Sequence, residues 1–158
     1  MKVEDIMIKD VISLTPEDTV SKALNLMHSN RLNQIPIVND ISEYLGMVFA
    51  KQFLSVNASP ESKLKNFISK TPTLSPEVTV ERTIEMILKT GNRAFPVIEN
   101  SAELVGIVSE MDIVVNSRFG HSTADSVMSG AVVQEGDDTL GNAFSKMRRY
   151  NISRLPVI

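Results

Sequence analysis

Between residues 79 and 91 the apolar side chains Val80, Ile84, Ile87 and Leu88 recur at helical spacing, as one face of an α-helix does. Thr79 stands before the run as an N-cap, and Gly91 stands behind it as a terminator. Two short apolar runs come next, residues 95–98 and 104–108, separated by the polar turn Glu99-Asn100-Ser101. Ser109-Glu110-Met111-Asp112 then opens a second helix that continues through Val115. Ahead of the first helix, residues 73–75 read as extended and are closed by Pro76, whose ring biases its predecessor to the β region. The predicted order is strand, helix, strand, strand, helix, a mixed α/β (α+β) class.

The same order is legible on either side. Residues 11–14 are extended, Val20, Leu24 and Met27 share a helix face, and residues 35–38 and 45–48 are apolar strands. Leu140, Ala143, Phe144 and Met147 repeat the helix face a third time. Fixed markers set the period. Ile35-Pro36-Ile37-Val38, Phe95-Pro96-Val97-Ile98 and Leu155-Pro156-Val157-Ile158 place their prolines 60 residues apart. Gly46-Met47-Val48 returns as Gly106-Ile107-Val108, and Thr19-Val20 as Thr79-Val80 and Thr139-Leu140. Ile6-Met7, Phe67-Ile68 and Val127-Met128 keep the step within one residue. The chain therefore reads as tandem repeats, at residues 1–56, 57–118 and an incomplete 119–158. The third copy has no counterpart of Gly106 or of the strand end and helix beyond it, which implies further chain after Ile158. Its face of Leu140, Phe144 and Met147 is expected to borrow cover from the other repeats or from another chain. Units of about sixty residues are near the lower limit for an adequate core, so pairing of repeats is expected. The linkers, residues 56–60 and 117–122, are short enough to require it.

Composition narrows the function classes. The chain has 158 residues, 42% hydrophobic and 22% charged, ordinary values for a globular protein. A net charge of −3 argues against a duplex-binding surface, which needs a basic stripe. The absence of cysteine removes disulfides and thiolate chemistry. No apolar stretch approaches membrane-spanning length, and Met1-Lys2-Val3-Glu4-Asp5 lacks the pattern of a secretory signal, so a cytoplasmic location is the expectation. No catalytic set emerges. His28 and His121 lie apart from any metal-ligand spacing, and His121, Ser122 and Asp125 sit too close in one loop to form a triad.

A repeat of this length and element order, with a Pro-Val strand and Gly-apolar-Val-Ser-x-x-Asp opening the last helix, resembles the CBS domain. The resemblance covers essentially the whole chain and looks most like four-repeat archaeal CBS proteins and the γ subunit of AMP-activated kinase. It implies repeats paired by a pseudo-twofold axis into a Bateman module, with clefts in which many members bind AMP, ADP or ATP and regulate an attached or partner protein. It also implies association through the repeats, most simply as a homodimer, and no catalytic cofactor or metal.

Residue by residue, the resemblance points first to Ser109 and Asp112. Their spacing at a helix start fits a capping box. It also fits a site in which the Asp112 carboxylate accepts both ribose hydroxyls and Ser109 faces the phosphate side, the role the resemblance favours. The base would then lie against the partner repeat, near Asp10 and Ile12 on its first strand and Leu32, Asn33 and Pro36 leading into its proline strand. Ile107 and Met111 complete the nucleotide set, and Ile12, Ile35 and Ile107 are candidate walls. Arg93 and Arg154, before the apolar-Pro pairs, are candidate phosphate ligands, with Lys9, Arg31 and Lys51 as further cations. The first copy departs from the pattern, with Phe49 for Ser109 and Gln52 for Asp112, so one good cleft is expected in the first pair rather than two. The leading reading is a non-catalytic sensor of adenosine nucleotides with an unidentified regulated partner. The alternative is a structural dimerisation module whose clefts are empty.

Overall fold

The structure, a computed structural model, describes residues 1–100, 102–116, 130–150, 152 and 154–158. It divides into two units, Met1–Arg118 and Phe119–Ile158. The expected linker at residues 117–122, the His121, Ser122 and Asp125 group, and Val127-Met128 lie outside the described residues.

In the first unit each repeat builds its first helix as the sequence dictates. Helix α1 (Val20–Asn30) starts where the Thr19 hydroxyl accepts the Lys22 N–H at 3.3 Å. It ends at Arg31, in the left-handed region with φ 55°. Helix α2 (Ala50–Ser55) comes after strands β1 (Gln34–Val38) and β2 (Tyr44–Phe49). In the second repeat α3 (Val80–Thr90) is capped in the same way by Thr79 and ends at Gly91, φ 71°. Strands β3 (Ala94–Glu99) and β4 (Glu103–Ser109) and helix α4 (Glu110–Asn116) complete it. The β1–β2 and β3–β4 pairs are antiparallel, with Pro36 opposite Met47 and Pro96 opposite Ile107.

The expected first strand of each repeat is reduced to one residue. Leu14 bridges Ile37, and Leu74 bridges Val97, both parallel. Leu14 donates to the Pro36 carbonyl at 3.1 Å and accepts from Val38 at 2.9 Å, and Leu74 makes the equivalent bonds with Pro96 and Ile98. Prolines close by (Pro16 after Leu14, Pro72 and Pro76 around Leu74) lack the N–H a longer ladder needs. Each repeat thus has a two-stranded sheet flanked by a bridge, not a three-stranded sheet.

The two cores are completed by exchange. Leu14, Val20, Ala23, Met27, Ile35, Ile37, Val48 and Phe53 pack around Leu64, which comes from beyond the first repeat's helices. Leu74, Val80, Phe95, Val97, Val108 and Ile113 pack around Val3 and Ile6 from the N-terminus. Backbone pairs fix both segments. Ile8 and Ile107 exchange N–H···O bonds at 2.9 and 3.0 Å, and Ser69 and Met47 exchange two at 2.9 Å. The glycines of the repeated Gly-apolar-Val motif make room for this approach. A Cβ at Gly46 would lie 2.5 Å from Ile68 Cγ2, and one at Gly106 would lie 2.5 Å from Met7 Sδ. On the dyad itself Tyr44 donates to Ala102 at 2.8 Å and Leu104 to Ser42 at 3.0 Å, bringing Glu43 opposite Glu103. These reciprocal bonds, offset by 60 or 61 residues, are the pseudo-twofold relation.

In the second unit Gln134 takes the place of Leu14 and Leu74, donating to the Pro156 carbonyl at 3.0 Å and accepting from Ile158 at 2.9 Å. Helix α5 (Leu140–Tyr150) has no buried residue, and Leu140 and Phe144 are 78% and 64% exposed. The face the sequence left without cover is uncovered within this unit.

Candidate functional site

The turn after each first helix and the start of each second helix converge in the first unit on a cleft of about 680 Å³, within the usual range for small-molecule sites. Backbone bonds set its two halves alike. Ala50 donates to the Asn33 carbonyl at 3.0 Å, and Glu110 donates to the Arg93 carbonyl at 2.9 Å. Each tie holds a helix start beside the residue leading into the proline strand of the same repeat. The Gln34 amide reaches the Ala94 carbonyl at 3.5 Å and joins the halves.

Of the expected nucleotide residues, Leu32, Asn33, Ile107, Ser109, Met111 and Asp112 line this cleft, as does Arg93. Asp10, Ile12 and Pro36 do not. Asp10 is exposed, Ile12 is outside the cleft wall, and Pro36 is fully buried with its carbonyl bonded to Leu14. Ile35 is likewise core, so of the three isoleucines expected as walls only Ile107 faces the cleft. Arg154 belongs to the second unit. Arg31 and Lys51 line the cleft and Lys9 does not.

Asp112 is engaged as a helix cap. Its Oδ2 accepts the Ser109 N–H at 2.7 Å and the Ser109 hydroxyl at 2.6 Å, while its own N–H donates to Ser109 Oγ at 3.3 Å. This is the reciprocal capping box. Its Oδ1 has no hydrogen bond among the described residues. In the first repeat Gln52 Oε1 accepts the Phe49 N–H at 2.9 Å, and Gln52 Nε2 bonds Ser69 Oγ at 2.6 Å. Gln52 is thereby spent on the exchanged segment. The Phe49 ring lines the cleft with Lys51 Nζ 5.8 Å from its centre, so the first repeat contributes an aromatic face and a cation there in place of a carboxylate.

The sequence reading missed Ile8, Ala50 and Glu110 among the lining residues. Ile8 arrives with the exchanged segment, and the one-residue slip of the Ile6-Met7 and Phe67-Ile68 markers against the 60-residue step was its available signal. Among the described residues no cluster of His, Cys, Asp or Glu could hold a metal ion, and no helix is long and apolar enough to cross a membrane.

A fold of antiparallel hairpins and capped helices, paired by exchange around a cleft at the dyad, defines a repeat-pair module. The profile of the CBS domain matches residues 3–58, 64–117 and 131–158, and the chain belongs to the CBS domain family. An uncharacterised Methanocaldococcus jannaschii protein is 28% identical over 99% of this chain and 38% of its own length. The inosine-5′-monophosphate dehydrogenase of the same organism is 24% identical over 78% of this chain and 25% of its length. The chain thus spans well under half the length of these curated relatives. Among solved structures, CBSX2 in complex with AMP superposes with a TM-score of 0.66 at 19% identity, covering 72% of this chain and 93% of that one. The CBS domain pair of a second protein, crystallised with 5-methylthioadenosine and S-adenosyl-L-methionine, gives 0.65 at 20% identity, over 73% and 94%. A proposed archaeal homologue of the AMP-activated kinase γ subunit, from Methanocaldococcus jannaschii, gives 0.69 at 19% identity, over 100% and 66%.

Proposed function

We propose that residues 1–118 bind an adenosine nucleotide, AMP, ADP or ATP, and that the chain regulates a partner protein without catalysing a reaction. The observation that carries this reading is the convergence of Asp112, Ser109, Ile107, Arg31 and Lys51 on one cleft. Asp112 Oδ1 accepts a ribose hydroxyl, Ile107 packs on the base, and the two cations meet the phosphate. The AMP and S-adenosyl-L-methionine complexes of similar modules support an adenosine ligand. A ligand touching both repeats favours one relative arrangement of them, which is how occupancy would reach a partner. The repeats at residues 1–56, 57–118 and 119–158 act as one cytoplasmic chain that self-associates through its repeats.

The capping box favours a second reading, in which Asp112 only secures α4 and the module is structural. Calorimetric titration with AMP, ADP, ATP and S-adenosylmethionine separates the two. Asp112→Ala should weaken binding about tenfold to a hundredfold, as loss of a hydrogen bond to a charged group does, and Gln52→Ala should change it little. Asp112→Asn keeps an acceptor for the cap and removes the charge, so it should weaken binding with little loss of stability. Unchanged affinity in both Asp112 variants, with lower stability in Asp112→Ala, would leave Asp112 a helix cap only, and no binding of any of these ligands by wild type would leave the structural reading.

A further inference from the structure

One of the differences between the two halves of the cleft is a charged pair. Arg93 Nη1 lies 3.4 Å from Glu110 Oε1, and the backbone bond from Glu110 N–H to the Arg93 carbonyl at 2.9 Å holds the two residues together. The positions related by the dyad are Asn33 and Ala50, joined by the same backbone bond at 3.0 Å and carrying no charge. The pair is therefore an addition to one half and not a requirement of the fold. Both side chains are open to solvent, 77% and 46% exposed, so the pair is weak and readily exchanged for another partner.

The remaining cations of the cleft are differently placed. Among the described residues neither Arg31 nor Lys51 makes an ion pair. Arg31 is also held in the left-handed region at φ 55°, where its counterpart is Gly91 at φ 71°. An arginine kept at a position where glycine is less strained needs a reason outside the backbone. Arg31 lines the cleft, as Lys51 does.

We infer that the Arg93–Glu110 pair sets the phosphate count of the ligand, favouring a nucleoside monophosphate over a triphosphate. This rests on the adenosine-binding reading above. A single phosphate, with about two negative charges at neutral pH, is met by Arg31 and Lys51 and leaves the pair intact. A longer chain reaching Arg93 must take it from Glu110 and then lies beside an unpaired carboxylate. Glu110 thus acts against the second and third phosphates and hardly at all on the first.

The test uses the 158-residue chain and titration calorimetry with AMP and ATP at low and physiological salt. Wild type should bind AMP more tightly than ATP. Glu110→Gln, a solvent-exposed isosteric change, should raise the ATP-to-AMP affinity ratio by about three- to tenfold, the scale of one charge removed at a hydrated site. In an Arg93→Gln background the same change should give a smaller gain, because only the relief of carboxylate repulsion remains and no arginine is released. An unchanged ratio in Glu110→Gln would overturn the inference while leaving adenosine binding intact. An equal gain in both backgrounds would also overturn it, since Glu110 would then act without Arg93. Failure of wild type to bind either nucleotide would instead remove the adenosine reading itself.

Discussion

Gly46 and Gly106 occupy the same place in the two hairpins and tolerate a side chain differently. At Gly46 the φ of 151° disfavours any L side chain, and an added Cβ would meet the Ser69 carbonyl oxygen at 2.7 Å. That segment is pinned by its bonds to Met47 and cannot retreat. At Gly106 the tightest contact is the Met7 thioether, a flexible end that can move, with the Ile8 carbonyl at 3.2 Å. Gly46→Ala should therefore cost about 2–3 kcal/mol in urea denaturation and Gly106→Ala less. The reverse order would show that the two exchanged segments are not held as described. Asp18 offers a pH test at the same scale. Burial pushes its carboxyl up, but the Lys22 ammonium and the Thr15 N–H and hydroxyl outweigh burial and hold it below the ordinary carboxylate range. A pKa lowered on folding contributes stability above the unfolded value, near 4, and that contribution is lost as pH falls through the folded value. Asp18→Asn should lower the melting temperature at pH 7 and flatten its fall below pH 4. An unchanged acid slope would assign the acid sensitivity elsewhere.

The elements were legible wherever a local signal sufficed. Thr19 and Thr79 mark helix starts, Gly91 marks an end, and the hairpins appear within a residue or so of the expected runs. Helix faces were less legible. Ile84 and Leu88 read as core but are 38% and 81% exposed, while Thr83 is fully buried. The Thr83 hydroxyl bonds the Thr79 carbonyl at 3.1 Å, so its polar group is satisfied within the helix and its methyl can pack. Hydropathy alone ranks Thr below Ile and so misplaces the face. The candidate site divides in the same way. Asp112 and Ser109 stand in a local motif, but Ile8 reaches the cleft only through exchange, which no short window contains. Asp10 and Ile12 were carried over by resemblance, and the single-residue bridge at Leu14 leaves that stretch away from the cleft wall. The exchange itself predicts where damage travels. Leu64→Ala removes a fully buried side chain from the first repeat's core and should cost about 2–5 kcal/mol. Hydrogen exchange should then accelerate in α1, β1 and β2, and less in α3, β3 and β4, which come after Leu64 in sequence. Deprotection confined to residues 70–116 would contradict the packing.

At the scale of the whole molecule, the face of α5 left uncovered within its own unit bears on how the chain should behave in solution. Leu140 and Phe144 present their side chains to solvent on one helix, an arrangement that favours association when two such faces meet. The chain should show a concentration-dependent mass in light scattering, and the double substitution Leu140→Lys with Phe144→Lys should abolish it. A constant monomer mass for wild type would show that the face does not drive association. The exchanged segments bear on a different question, the origin of the fold by duplication. The copied stretch of sequence and the cooperative body are not the same object. A single ancestral copy would have carried a plug, the counterpart of Val3 or Leu64, without a socket of its own to receive it in tandem. Two identical copies could lend each other that plug, so the reciprocal arrangement is also a homodimer written into one chain. Severing the backbone near Pro60 should therefore leave two fragments that are each incomplete and mutually complementary, able to reassemble when mixed.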